Sequence, residues 1–226
     1  MKHTFIVIAF LFITTLNAQT YEVTYERKAN IEYQLRKEKN QAVRNRVSKH
    51  LAKNTAKFKL ISFGEISNYS KLTKKKTDTY NSRSAGNAGS VYKYKEQNQL
   101  LKEVSLNGSY FLINDSLPNF NWKETGKLKK ILGYSCKQIK ATVDGITYNA
   151  WYTSEIRIND GPDIFWIKKG LILEIDVKNF IIKAVNINHK NESHNFKTPL
   201  KGEEISLKTY TQKINEYKAS LMFNRN

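Results

Sequence analysis

The chain of 226 residues contains one cysteine, Cys136, which excludes an internal disulfide and any cysteine-based zinc cluster. In the stretch Gly133-Tyr134-Ser135-Cys136-Lys137-Gln138 that thiol stands where a small half-buried apolar residue would serve equally well. Histidine is scarce too. His50 falls in a basic amphipathic stretch, and His189 and His194 are spaced for neither one helical face nor one strand face, with no HExxH pattern around them, so a metal site is not expected. There is no GxSxG elbow, no SxxK pair and no Walker loop. Glu203-Glu204, and Glu174 with Asp176, are carboxylate pairs of a kind any acidic loop or strand supplies. Past the N-terminus no apolar run approaches the roughly 20 residues needed to cross a bilayer, so an integral membrane protein is not expected. These absences predict no cofactor, no metal and no catalytic constellation, and hence a non-enzymatic protein.

What is present begins with a leader. Met1-Lys2-His3 supplies a positive start, Phe5 to Leu16 is a nearly unbroken apolar run, and Ala18 offers the small residue at which a signal peptidase cuts. Residues 1–18 are therefore expected to be a signal peptide cleaved after Ala18, and 19–226 a single exported domain, periplasmic or extracellular. The balance of 38 Lys+Arg against 20 Asp+Glu gives a net charge of +18. The basic residues are spread along the chain, with Lys74-Lys75-Lys76 the only tight run, which predicts a solvated lysine-rich surface or attraction to an anionic envelope polymer. No zinc-finger, helix-turn-helix or RNA-binding signature accompanies the charge, so nucleic acid is not an expected partner.

Alternating polar and apolar residues dominate the remainder. Tyr21 to Tyr25, Ala56 to Phe63, Val91 to Lys95, Leu100 to Leu106, Ser109 to Asn114, Cys136 to Val143, Ile146 to Thr153, Gly170 to Val177 and Phe180 to Ile187 all read as strands. Asn107-Gly108 and Asp144-Gly145 mark hairpin turns, and Lys178-Asn179 predicts a two-residue hairpin with Asn179 at positive φ. Runs joined this tightly must be antiparallel. Residues 74–90 have no apolar period and read as a loop. Val43, Val47 and Leu51 mark an amphipathic helix between Asn40 and Lys53. Leu207, Tyr210, Ile214, Tyr217 and Leu221 mark a C-terminal one, with Ser206 placed to cap it. The expected fold is α+β and mainly β: a single domain with one curved, half-barrel-like antiparallel sheet, a helix in the N-terminal half and a C-terminal amphipathic helix.

Four blocks in order also resemble a known family. They are Ile131 to Lys137 with Gly133; Ala150 to Ile156 with Trp151 and Tyr152; Gly161-Pro162 with Phe165; and Gly170-Leu171-Ile172 to Ile175. Together they resemble the GLPGLI family of exported bacterial proteins, although Ile167-Lys168-Lys169 replaces the first half of the naming hexapeptide. The resemblance implies export and a β-rich fold and supplies no activity. Each block also has a sufficient architectural explanation, as turn or core.

The strands carry large side chains on both faces, Tyr148 and Tyr152 alternating with Trp151, whereas two amphipathic helices are expected to cover only one face. This predicts a concave apolar surface that binds an apolar or amphipathic ligand or an outer-membrane protein partner, with Trp151, Tyr148 and Tyr152 as the lining residues. The rival readings are a hydrolase with an unrecognised site and a structural protein held on anionic envelope polymers.

Overall fold

The computed structural model describes residues 19–72, 87–143, 145–197 and 202–223, so the expected leader at 1–18 and most of the expected loop at 74–90 lie outside the described residues. The strands are β1 (Thr20–Ala29), β2 (Thr55–Phe63), β3 (Ile66–Lys71), β4 (Asn87–Tyr94), β5 (Gln99–Leu106), β6 (Ser109–Ser116), β7 (Lys123–Ile131), β8 (Tyr134–Val143), β9 (Ile146–Thr153), β10 (Leu171–Asp176), β11 (Phe180–Lys190) and β12 (Glu203–Ile205). Three helices accompany them: α1 (Ile31–Gln34), α2 (Gln41–Leu51) and α3 (Leu207–Phe223). All twelve strands form one sheet in the order β12-β6-β5-β4-β3-β2-β1-β11-β10-β9-β8-β7. Every neighbouring pair is antiparallel except β12, which runs parallel to β6. The sheet has two edges and is not closed, and the fold is α+β and mainly β, as the alternation predicts.

The period of two sorts the faces. Val23 and Tyr25 of β1, Phe58 and Leu60 of β2, and Ile139 and Ala141 of β8 are buried on the inner face. The residues between them, such as Glu22 and Lys59, point outward and pair at 3.0 Å, with Lys190 3.4 Å from the same glutamate. Cys136 belongs to the main hydrophobic cluster and is fully buried; burial pushes its thiol above the ordinary value.

What fills the hollow is the connection from β9 to β10, residues 154–170. Its two ends belong to strands near one edge, yet Lys93 of β4 and Lys102 of β5 bond to its middle, so the sheet curls around it. Lys93 is the organising group. Its ammonium, with no exposure, lies 2.6 Å from Asp160 Oδ1 and donates to the carbonyls of Gly161, Asp163 and Phe165 at 2.6, 3.1 and 3.3 Å. Lys95 stands 3.3 Å from the other oxygen of Asp160, and Lys102 pairs with the Asp163 carboxylate at 2.7 Å. From β1, the Tyr25 hydroxyl donates to the Ile172 carbonyl at 2.7 Å, beside a bulge in β10.

α3 covers the same inner face nearer the opposite edge, where Tyr210 and Ile214 pack on Val104, Phe111 and Ile113. Ser206 caps it as expected, accepting from the Thr209 amide at 3.0 Å. α2 is also capped as its sequence predicts, the Asn40 side chain accepting from the amides of Ala42 and Val43. It shields no sheet face, however: none of its residues is buried, and Arg44 ties it to the Leu35 and Glu38 carbonyls of the preceding turn. Asn107-Gly108 forms the expected turn, with both φ positive at 49° and 85°, and Leu132-Gly133 forms another at 51° and 87°. Gly145 joins β8 to β9 at φ 71°, whereas Asp144 lies outside the described residues. The strands joined by Lys178-Asn179 are adjacent and antiparallel, as expected. The positive φ, 66°, falls on Lys178 rather than Asn179, because the first central position is the left-handed one in this turn and the Asp176 carboxylate accepts the Lys178 amide there at 2.9 Å.

Candidate functional site

A cleft of about 380 Å³ opens on the inner face where β7, β8 and β9 form the sheet edge. Loop residues 118–122 make one wall and residues 166–169 the other, with Ile139, Tyr152 and Glu124 between them. The walls are tied by indole groups, since Trp122 Nε1 donates to the Trp166 carbonyl and Trp166 Nε1 to the Pro118 carbonyl, both at 2.9 Å. With their N–H groups committed to the backbone, both tryptophans present ring surface to the cleft. Behind them, Phe120 stacks on Trp122 at 5.1 Å between centroids and meets Phe165 at 5.0 Å and Tyr148 at 5.9 Å. The cleft is therefore preformed.

Its polar centre is a carboxylate held by a phenol. Glu124 faces Ile139 across the β7–β8 pairing, and a bulge around Gly126 (φ 80°) follows it. The Tyr152 hydroxyl donates to Glu124 Oε1 at 2.6 Å, and Lys137 stands 3.5 Å from Oε2. The hydroxyl bond, with the charges of Lys137 and Lys169, holds the Glu124 carboxyl below the ordinary value. Burial, and then the neighbouring carboxylate, push Tyr152 up to about 12. At neutral pH this is an ionised acceptor beside a protonated phenol that donates to it. Among the described residues Glu124 is the one carboxylate lining the cleft.

Of the expected lining residues, only Tyr152 lies in this cleft. Tyr148 packs into the aromatic cluster behind it, against Phe120 and Phe165. Trp151 necessarily points to the opposite face. There it lies half-buried beside a shallow polar hollow, with Lys129 4.2 Å from its ring centre and that same ammonium 2.7 Å from Glu174. The hollow of the sheet is thus no open apolar concavity around Trp151, because the 154–170 connection and α3 fill much of it. Trp122, Trp166 and Glu124 were not anticipated, as none sits in a periodic run; the aromatic-amide interleaving of Asn119-Phe120-Asn121-Trp122 was their one available signal.

The blocks behind the family resemblance turn out to be scaffold. Gly133 completes a hairpin, and a Cβ on Gly161 would meet the Phe165 carbonyl oxygen at 2.9 Å. Gly170, at φ 138°, passes so close to Thr153 that a Cβ would lie 2.0 Å from its carbonyl oxygen. Pro162 and Phe165 are buried around the Lys93 cluster, and Leu171 and Ile172 have no exposure at all.

Comparison with known proteins replaces that resemblance. A family model described as "N-glycanase peptide, N-terminal domain" matches residues 68–213, more than half of the chain, and the chain belongs to that family. Two crystal forms of PNGF-II share the fold. One has TM-score 0.57 at 18% identity, covering 86% of this chain and 33% of PNGF-II. The other has TM-score 0.55 at 18% identity, covering 86% and 32%. This chain therefore spans about a third of the length of those structures. No curated protein matches it. Assignment to the GLPGLI family does not hold, because the family model that matches is that of the N-glycanase domain, and the glycines behind the resemblance mark turns and close backbone approaches of this sheet. The non-enzymatic carrier of an apolar ligand, without known relatives of defined activity, is overturned as well: the family is that of an N-glycanase domain, and the large cavity such a carrier needs is occupied by the chain's own residues 154–170.

Proposed function

We propose that the chain works in the hydrolytic cleavage of N-linked glycans, with the Trp122–Trp166 cleft as the surface that engages the carbohydrate of the glycoconjugate. A pyranose ring has an apolar C–H face and a rim of hydroxyls, and its receptor needs aromatic surface beside a few fixed polar groups. The cleft offers that combination. Trp122 and Trp166 supply ring surface, Glu124 accepts from hydroxyls, and Asn119 and Asn121 can both donate and accept. The observation that carries the reading is the coincidence of this cleft with membership of an N-glycanase domain family. Glu124, ionised and oriented by Tyr152, is the group placed to accept a proton or hydrogen bond from substrate. Export, expected from the pattern of residues 1–18, would bring the chain to glycoproteins outside the cytosol.

The test uses the full chain with an N-glycopeptide and the same peptide lacking its glycan, following binding by calorimetry and glycan release by mass spectrometry. Glycan-dependent binding or release that falls at least about tenfold in Trp122→Ala and in Glu124→Gln is the expected result. Equal treatment of the two peptides, or indifference to both substitutions, would refute it.

A further inference from the structure

The rim of this cleft carries a charge that its polar centre does not use. Lys168 and Lys169 line one end and are exposed, with no ion pair among the described residues. On the same face Lys137, opposite Tyr152, stands 3.5 Å from Glu124. Lys123 and Lys140, paired across β7–β8 next to Glu124 and Ile139, point to the other face, where Lys140 borders the hollow beside Trp151. The cleft's one carboxylate, Glu124, is thus already engaged by Tyr152 and Lys137, and Lys168 and Lys169 remain at its rim as cations free to meet an anion on a bound ligand.

We propose that this cleft selects glycans bearing acidic groups, carboxylate or sulfate, with neutral sugar rings on the tryptophans and the acidic end on Lys168–Lys169. The inference rests on the carbohydrate reading of the cleft and adds its substrate class. The arrangement separates two tasks: the aromatic centre supplies contact common to all glycans, while the basic rim discriminates among them by long-range attraction.

The experiment compares the full chain's affinity for three N-glycopeptides of one peptide sequence, carrying a neutral, a sialylated and a sulfated glycan. An acidic form is expected to bind about fivefold more tightly at low salt, the scale of one or two exposed ion pairs. That preference should shrink toward unity near 1 M salt, where the screening length is about 3 Å. In Lys168→Gln/Lys169→Gln the acidic forms should lose more affinity than the neutral form, so that the preference falls toward unity. The control is Lys49→Gln/Lys53→Gln, on α2 and in the turn that follows it, which removes the same charge away from the cleft and should leave the preference intact. Equal affinity for all three glycopeptides overturns the selectivity and leaves the carbohydrate reading standing. An equal loss in the control overturns the cleft assignment, since net charge alone would then be responsible. Binding of none of the three overturns the carbohydrate reading itself.

Discussion

Lys93→Met is the substitution most informative about how this sheet holds its shape. Methionine matches the length and volume of the lysine stem, so the packing around the aliphatic carbons is preserved and only the ammonium is lost. That ammonium is fully buried and serves Asp160 and three carbonyls, those of Gly161, Asp163 and Phe165. Removing one partner of a buried ion pair costs about 3–5 kcal/mol, because the other charge stays in the interior uncompensated. Lys95, 3.3 Å from Asp160, offsets part of this, whereas each carbonyl left without a donor adds to it. A net loss of about 4 kcal/mol is expected, a large share of the total stability of an ordinary domain. Urea unfolding followed by circular dichroism measures it. Asp160→Asn on the Lys93→Met background should recover only part of the loss, for it neutralises the stranded carboxylate and leaves the carbonyls unserved. Near-ultraviolet dichroism adds an independent readout, since Trp166 lies on the connection that Lys93 pins and should lose signal before the sheet unfolds. A Lys93→Met protein within about 1 kcal/mol of the native stability would refute the argument, since an ammonium worth so little could not be what holds the connection.

Burial by itself would raise the Asp160 carboxyl, but Lys93 and Lys95 outweigh it and hold the group below its ordinary value of 3.8. The unfolded chain then takes up that proton at a higher pH than the folded one, so the stabilisation is complete above about pH 4 and is lost as pH falls through the folded-state value; acid unfolding of Asp160→Asn should start from lower stability and fall less steeply. Gly170→Ala should cost at least about 3 kcal/mol by thermal unfolding, because φ 138° excludes a side chain and the new Cβ would strike the Thr153 carbonyl; an unchanged melting temperature would show that the connection can shift there. Tyr152→Phe removes the largest cause that lowers the Glu124 carboxyl, so its titration, read by NMR, should move up toward the ordinary glutamate range.

Most of the strands are legible because each shows one face to the core and one to water. β2 alternates cleanly, β1, β8 and β11 alternate over shorter runs such as Val23–Tyr25, Ile139–Ala141 and Ile182–Ala184, and Asn40 and Ser206 announce their helices by chemistry that operates locally. β7 escapes that logic. As an edge strand most of its residues are exposed, so Lys123–Ile131 carries lysines on both faces and has no period to read. β3 hides for the opposite reason, since its buried positions include Ser67 beside Tyr69 and a polar residue breaks the pattern. Lys93 falls in a run legible as a strand, but nothing local marks its ammonium as buried. Its acceptors are one aspartate on a distant segment and three backbone carbonyls that any residue would present. The cleft is harder still, as its walls come from two non-periodic segments that meet only when the sheet curls. Tyr148 and Tyr152 share a face by simple alternation and Trp151 takes the other, so the three could never have lined one surface of a regular strand.

The position of the cleft follows from the same packing. The 154–170 connection enters from β9, reaches across to β4 and β5 where Lys93 and Lys102 hold it, and returns to β10 with Trp166 on the return leg. It is anchored on strands toward the opposite edge, so most of it stands clear of β7 and β8, whose inner face is approached by residues 118–122 and by the return leg at 166–169. The two indole bonds fix the gap between that loop and the return leg, and Phe120 fixes the loop to Phe165 on the connection itself. A ligand entering the gap would find both walls already ordered, with little conformational entropy left to lose on binding. The rigidity is borrowed from the core, because the segment carrying Trp166 and Phe165 is the one whose carbonyls the buried lysine binds. A substitution at Lys93, remote from the cleft, should therefore weaken glycan binding in proportion to how far it frees that segment, whereas a substitution at an outer-face pair such as Glu22–Lys59 should leave it alone.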